Sequence, residues 1–161
     1  MMSLRFASVR RHFRTLPTFA PIPGLLLMFV VLGAGCSSFN DQWRKTAQNP
    51  APTNDIQGRW QGRWISEPSG HSGKLRCLIL KMPDDIYQAR FHAKYGQIFS
   101  FEYTVPLKVQ RTGETFHFSG EANLGRFAGG VYRYDGHANG TNFFSDYSSK
   151  YDHGTFTMRR P

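Results

Sequence analysis

The chain predicts an all-β fold, an antiparallel up-and-down barrel of about eight strands that follows a signal peptide and a flexible tether. Three observations predict it. From Gly58 onward apolar and polar residues alternate with a period of two, the mark of strands with one buried face. The connections between these runs are short and rich in turn formers, as in Met82-Pro83-Asp84-Asp85, Arg111-Thr112-Gly113-Glu114 and Ala138-Asn139-Gly140-Thr141. Sequential hairpins with one apolar face can form a sandwich or a closed meander, and closure removes both exposed edges. That favours the barrel.

Residues 1–35 read as a secretory signal. Arg5, Arg10, Arg11 and Arg14 make its start basic, no acidic residue precedes Cys36, and Gly24 to Leu32 form a short apolar run. The run is far below the roughly 20 residues of a membrane-spanning helix. Leu32-Gly33-Ala34-Gly35-Cys36 resembles the lipobox of bacterial lipoproteins, where a cysteine after small residues is diacylated and becomes the first residue. Gly33 stands where that pattern most often has leucine, with Leu32 one position early, and an ordinary signal cut nearby is the alternative. The resemblance implies lipidation at Cys36. Because Ser37 rather than Asp follows, it also implies an outer-membrane anchor facing the periplasm. Arg10-Arg11-His12-Phe13 is similar to the start of a twin-arginine signal, which leaves the export route open.

Residues 36–56 make up the lipidated N-terminus and a flexible linker. Asn49-Pro50-Ala51-Pro52-Thr53-Asn54 has the composition of a tether, with at most a short helix near Asp41 to Ala47, and Trp43 is expected to pack on the barrel rim. The whole chain has 20 Lys and Arg against 11 Asp and Glu; without the four signal arginines, sixteen basic residues face the same eleven acidic ones. These look scattered along the strands, which argues against nucleic acid and leaves anionic lipid or an acidic polymer as the better contact. Cys77 is the only other thiol, so a core rather than an intrachain disulfide must hold the domain.

Residues 57–161 form the barrel. Trp60, Gly62 and Trp64 open it, and Leu75 to Met82 is apolar on both parities, which predicts a bulge or a strand covered on both faces. Tyr87, Ala89, Phe91, Ala93 and Tyr95 share one parity. The next runs are Phe99 through Val109, then Phe116 to Ala122, Tyr132 to Ala138, Phe143 to Tyr147, and finally Phe156 and Met158. Pro106 falls on the outward parity, where a bend tolerates it. Cys77 has inward parity and reads as core, whereas His92, His117 and His137 face outward and should be solvated.

Gly58-Arg59-Trp60, echoed by Gly62-Arg63-Trp64, is similar to the Gly-x-Trp opening of the calycin barrels, the group of lipocalins, avidins and fatty-acid-binding proteins. The resemblance spans the topology of Gly58 to Pro161 and rests on one tripeptide and one arginine. It implies that Gly58 and Trp60 mark a closed end, with an arginine of the last strand lying over Trp60. Arg160, on the parity of Phe156 and Met158, is the match, and Arg159 is second. Gly58-x-Trp60-x-Gly62 is also similar to the start of haem-binding nitrobindin barrels, but Trp64 departs where that pattern has glycine, and no cofactor is expected.

A meander sends alternate loops to opposite ends. The three tight turns lie with Trp60, so the longer loops, Ser66 to Ser72, the Gly96-Gln97 turn, Asn123 to Gly130 and Ser148 to His153, gather at the other. That mouth is the expected site. Trp64, Tyr95, Phe99, Tyr132 and Tyr147 would line its interior, and His71, Arg126, Lys150, Asp152 and His153 its rim. An eight-stranded barrel is either filled by side chains or holds one small ligand, and the small inward residues Ala89, Ala93, Gly120, Ala122, Gly136 and Ala138 favour space. Two chemistries compete on the rim: His71, Asp152 and His153 as metal ligands, or Lys150, Asp152 and His153 as an acid/base group beside Ser149. Asp152 and His153 capping a turn before Gly154 is the simpler role.

The sequence therefore points to an outer-membrane-anchored periplasmic lipoprotein. Its barrel is expected to be a non-catalytic binding module for a small apolar or amphipathic ligand, with no metal. A filled barrel acting as a structural or protein-interaction domain of the cell envelope is the alternative, and a hydrolase or metal-dependent enzyme at the mouth is the third.

Overall fold

Strict alternation gives each segment one face that must leave water, and eight such segments satisfy that need by wrapping around one another. A computed structural model describes residues 38–52, 54–96 and 98–161; the segment expected to be a signal peptide, with the lipobox-like run and Cys36, lies outside them. The strands are β1 (Gly58–Ser66), β2 (Ser72–Lys81), β3 (Ile86–Tyr95), β4 (Phe99–Thr112), β5 (Thr115–Asn123), β6 (Val131–Ala138), β7 (Asn142–Ser148) and β8 (His153–Arg159). Each pairs antiparallel with the next, and β8 returns to β1 from Gln61 opposite Arg159 to Ser66 opposite Gly154. The result is a closed up-and-down barrel, consistent with the calycin-like topology.

The inward positions meet in one core that includes Trp60, Leu75, Cys77, Phe91, Phe118 and Phe156. Burial pushes the Cys77 thiol well above its usual range, so it stays protonated among aliphatic neighbours. At the base, the Arg160 guanidinium lies 4.3 Å from the centre of the Trp60 ring, within cation–π range. Its nitrogens also donate to the carbonyls of Gln57 at 2.6 Å, Gly140 at 3.0 Å and Asp55. Trp60 itself donates its indole N–H to the Ile56 carbonyl at 2.9 Å. One side chain thus ties the approach to β1 to the β6–β7 turn. That turn is set by Asn139, whose Oδ1 accepts from the Thr141 and Asn142 amides at 3.0 and 2.8 Å.

The wall is not uniform. β4 is 14 residues long, yet it pairs with β5 only from Leu107 opposite Gly120 to Thr112 opposite Thr115. From Pro106 back to Phe99 it pairs with β3 alone. Pro106 has no amide hydrogen to donate, and the β4–β5 seam opens where it stands.

Leu75 to Met82 contains no bulge: β2 runs in unbroken register from Gly58 opposite Ile79 on one side and to Lys81 opposite Tyr87 on the other. Leu78, on the outward parity, is 1% exposed, and the covering layer comes from the segment expected to be a flexible tether. That segment carries a helix, α1 (Phe39–Gln48), longer than the expected Asp41 to Ala47. Ser38 caps it by accepting the Asp41 amide at 3.2 Å. Phe39 is fully buried, stacks on Trp43 and on His92 with ring centres 5.7 and 5.2 Å apart, and lies under Arg76 and Arg90. Trp43 sits against Arg59 and Arg76 on the outer wall rather than on the rim. Leu78 is paired between Arg59 and Arg90, and both arginines engage α1.

His92 is accordingly buried rather than solvated, whereas His117 and His137 are exposed. Its outward parity placed it correctly on the strand; the helix then covered it. Burial and the nearby Arg76 and Lys94 hold its pKa below the ordinary 6.5, against the opposing pull of Glu102.

Two outcomes follow from this packing. Trp60→Ala should cost about 3–5 kcal/mol in denaturant unfolding; Arg160→Ala should also destabilise, and the double variant should lose less than the sum of the two. Arg160→Lys should recover little, because an ammonium cannot reproduce the planar fork across three carbonyls. For His92, the unfolded state binds the proton more tightly than the folded one, so its contribution to stability is intact above its ordinary pKa and falls away as pH drops below it. The protection factors of the α1 amides, the exchange rates divided into their intrinsic values at the same pH, should therefore be smaller at about pH 5 than at about pH 7.5, and His92→Phe should flatten the difference.

Candidate binding mouth

The mouth is built from the ends of the strands and the four long loops, and its residues fall into two groups. In the first, Trp64 is opposite Gly73 in the β1–β2 register. A β-carbon on Gly73 would lie 1.8 Å from the Lys94 carbonyl and 2.6 Å from the Trp64 indole nitrogen, so only glycine admits the ring here. Across that gap the indole donates to the Lys94 carbonyl at 2.9 Å, beyond the last β2–β3 pair, Leu75 opposite Ala93. Trp64 stacks on Tyr95 at 5.9 Å, and the Tyr95 hydroxyl meets the His71 ring nitrogens at 3.1 and 3.2 Å. Tyr95 pairs with Phe99 across the β3–β4 hairpin.

The second group centres on Asp152. Its carboxylate accepts from Ser66 at 2.7 Å and Tyr147 at 3.3 Å, and its amide and carbonyl both bond the Ser149 hydroxyl, at 3.1 and 3.0 Å. Tyr147 also donates to the Ile65 carbonyl at 3.3 Å. Asp152 therefore fastens the β7–β8 loop to the end of β1. The Tyr147 hydroxyl is pushed well up by burial and then by the Asp152 charge, so it remains a donor at all physiological pH. Tyr132 joins this group through its ring, 6.1 Å from Tyr147.

The remaining rim residues do not converge on either group. His153 faces Glu67 at 3.4 Å, His71 belongs to the Trp64 group, and among the described residues no three His, Cys, Asp or Glu side chains lie close enough to hold a metal. Arg126 and Lys150 line a groove on the rim with Val131, Arg133 and Tyr151, and Lys150 sits over the Tyr151 ring at 5.1 Å. Lys150 is thus separated from the Asp152 carboxylate's own hydrogen-bond network.

The feature that sequence reasoning did not single out is the open seam. Phe99 and Phe101 have inward parity but are 63% and 57% exposed, and Ile98 at the hairpin tip is 87% exposed. Deeper on the same strand Tyr103 is partly buried, stacked on Phe91 at 5.2 Å and on Tyr134 at 6.3 Å. Burial raises both tyrosine pKa values, and their hydroxyls interact with each other. Below that level the rings close up: Phe118 on Phe143 at 4.6 Å, Trp60 on Phe143 at 5.6 Å, Phe91 on Phe156 at 5.4 Å. The barrel interior is thus filled with rings at its base, while toward the mouth Phe99 and Phe101 on the β3–β4 hairpin stay exposed. Alternation had marked Phe101 and Tyr103 as inward; only the missing β4–β5 pairs leave them uncovered.

Among the described residues every buried side-chain nitrogen or oxygen has a hydrogen-bond partner. The exposed inward-parity residues at the mouth, Phe99 and Phe101, are apolar. Comparison with protein-family models, with curated proteins and with solved structures finds no match to this chain.

Asp152→Ala should unpin the β7–β8 loop and lower the melting temperature measurably, since it removes the carboxylate that accepts from both Ser66 and Tyr147, at a cost of about 1–3 kcal/mol. His153→Ala, at the exposed end of the same loop, should stay within about 0.5 kcal/mol of the parent. A thermal melt of the two variants side by side distinguishes the staple from its neighbour.

Proposed function

We propose that this chain is an envelope lipoprotein, anchored through Cys36 in the outer membrane facing the periplasm. Its barrel binds one small apolar or amphipathic molecule against the exposed aromatic residues at its mouth. The observation that carries the reading is the exposure of Phe99 and Phe101 on an inward-facing parity, beside a partly exposed Tyr132, Ala93 and Ala122. Apolar side chains that face a barrel interior and stay wet gain roughly 1.5–3 kcal/mol each when something covers them. The ligand needs few polar contacts, because the buried polar atoms around it are already paired. His71, Tyr95, Arg126 and Lys150 supply polar groups at the rim, enough to orient a head group. The anchor rests on the lipobox sequence ending at Cys36, and a diacylated, N-acylated cysteine holds a protein stably on a membrane.

A filled barrel that works as a protein-interaction domain of the envelope is the second reading, favoured by the ring packing at the base, where Trp60, Phe118 and Phe143 occupy the interior. On that reading the exposed aromatics of β4 are the contact surface.

The readings separate in solution. An apolar fluorescent probe should bind the purified barrel with blue-shifted emission, and Phe101→Glu should weaken it by on the order of tenfold or more without lowering the melting temperature. Refusal of several chemically distinct probes by the well-folded protein would favour the filled barrel. For the anchor, Cys36→Ser should abolish incorporation of labelled palmitate; continued labelling of that variant would overturn the lipoprotein assignment.

A further inference from the structure

The basic residues, which look scattered along the sequence, are gathered on one side of the barrel by its closure. The four neighbouring strands β8, β1, β2 and β3 contain no Asp or Glu. Their outward positions carry Arg59, Arg76 and Arg90, which engage α1, and Arg63, Lys74, Lys94 and Arg159, which stay exposed beside it. The outward positions of β4 to β7 carry Glu102, Glu121, Asp135 and Asp146 against Lys108 and Arg133. One half of the wall is cationic and the other is mixed to acidic.

The helix fixes where the chain approaches this wall. Phe39 is buried against His92, Arg76 and Arg90 in the middle of the basic half. Cys36 precedes it by three residues, and three residues span at most about 11 Å. Acyl chains on Cys36 would therefore begin within that distance of Phe39, on the basic side of the barrel.

We propose that the side of the barrel formed by β8, β1, β2 and β3 faces an anionic phospholipid surface, with Arg63, Lys74, Lys94 and Arg159, exposed beside α1, as its contacts. This rests on the lipidation of Cys36 proposed above. The α1 helix, packed on this wall through Phe39 and Trp43, holds the segment after the anchor against it, and the barrel axis runs along the membrane so that the mouth opens beside it. Each cation near an anionic lipid surface contributes roughly fivefold in binding, and the effect shrinks as salt shortens the screening length to about 3 Å near 1 M. The acidic half of the barrel faces away, which fixes one orientation.

Amine footprinting of the isolated native protein on vesicles tests this. With about a third of the lipid anionic, Lys74 and Lys94 should react roughly fivefold or more slowly than on neutral vesicles, while Lys108, on β4 outside the basic half, reacts equally on both. Salt at about 1 M should erase the protection, and Arg63→Glu with Arg159→Glu should reduce it at low salt. Equal protection of Lys108, or equal protection of Lys74 and Lys94 on neutral vesicles, overturns the proposal. Protection of Lys74 and Lys94 by peptidoglycan fragments but not by anionic vesicles would assign the wall to an acidic polymer instead. The mass of the isolated protein reports acylation separately. If no acyl chain is present the lipoprotein assignment fails, whereas the wall is still judged by whether anionic vesicles alone protect Lys74 and Lys94.

Discussion

A closed meander must join its first strand to its last, and in this chain the joint is made at the base by Arg160 and Trp60. The guanidinium covers the indole and bonds three carbonyls that belong to the approach to β1 and to the β6–β7 turn. Without the β1–β8 pairing both strands would be exposed edges; without the plug, water would reach Trp60, Phe143 and Met158 from below. Burial weakens the hold of Arg160 on its proton, with Asp55 acting against that effect. A charge half-sunk in this way is tolerated because several of its N–H groups have acceptors.

With the base sealed, the interior can be packed with rings for most of its depth, and the opening is confined to the far end. Order and exposure are divided accordingly. The base couples Trp60, Phe143 and Phe118, the middle couples Phe91, Tyr103, Tyr134 and Phe156, and the mouth leaves Phe99 and Phe101 uncovered. Pro106 marks the change from one regime to the other on β4, since beyond it the strand has only one neighbour. The polar residues of the mouth mostly serve the frame: Asp152 pins a loop, and Trp64 satisfies the Lys94 carbonyl at the end of the β2–β3 ladder.

The outer wall follows a separate logic. Three arginines on β1, β2 and β3 would repel one another on a bare sheet, and α1 relieves this by laying Phe39 and Trp43 against their guanidinium groups and offering Asn40 and Gln42 as acceptors. The same contacts bury His92 and Leu78. A short helix of modest intrinsic stability is thereby held in place by tertiary contacts, in a stretch whose prolines and polar residues suggest a loose tether.

The sequence by itself marked the alternating strands, because the direction of a side chain on a strand depends only on its parity; β2, apolar on both parities, was left between a bulge and a strand covered on both faces. Trp60, Phe91, Phe118, Phe143 and Phe156 were legible as interior in this way, and the turns at Asn139-Gly140 and Pro83-Asp84 as hairpin ends. The arginine over Trp60 was legible through resemblance combined with the parity of Arg160. Only the tertiary structure decided what depends on neighbours around the barrel. Parity placed Phe101 inward, but its exposure follows from the absence of β5 beside it. His92 was outward, but a helix from 50 residues earlier covers it. His71 and His153 share a mouth without sharing a partner, because His71 meets Tyr95 at the end of β3 whereas His153 faces Glu67. Arg159 and Lys74 are far apart in the chain and belong to one basic wall only after β8 has closed onto β1. Local alternation is fixed by one backbone repeat, whereas adjacency around a closed sheet is fixed by register and by which strand stops pairing, and these are set by contacts distant in sequence.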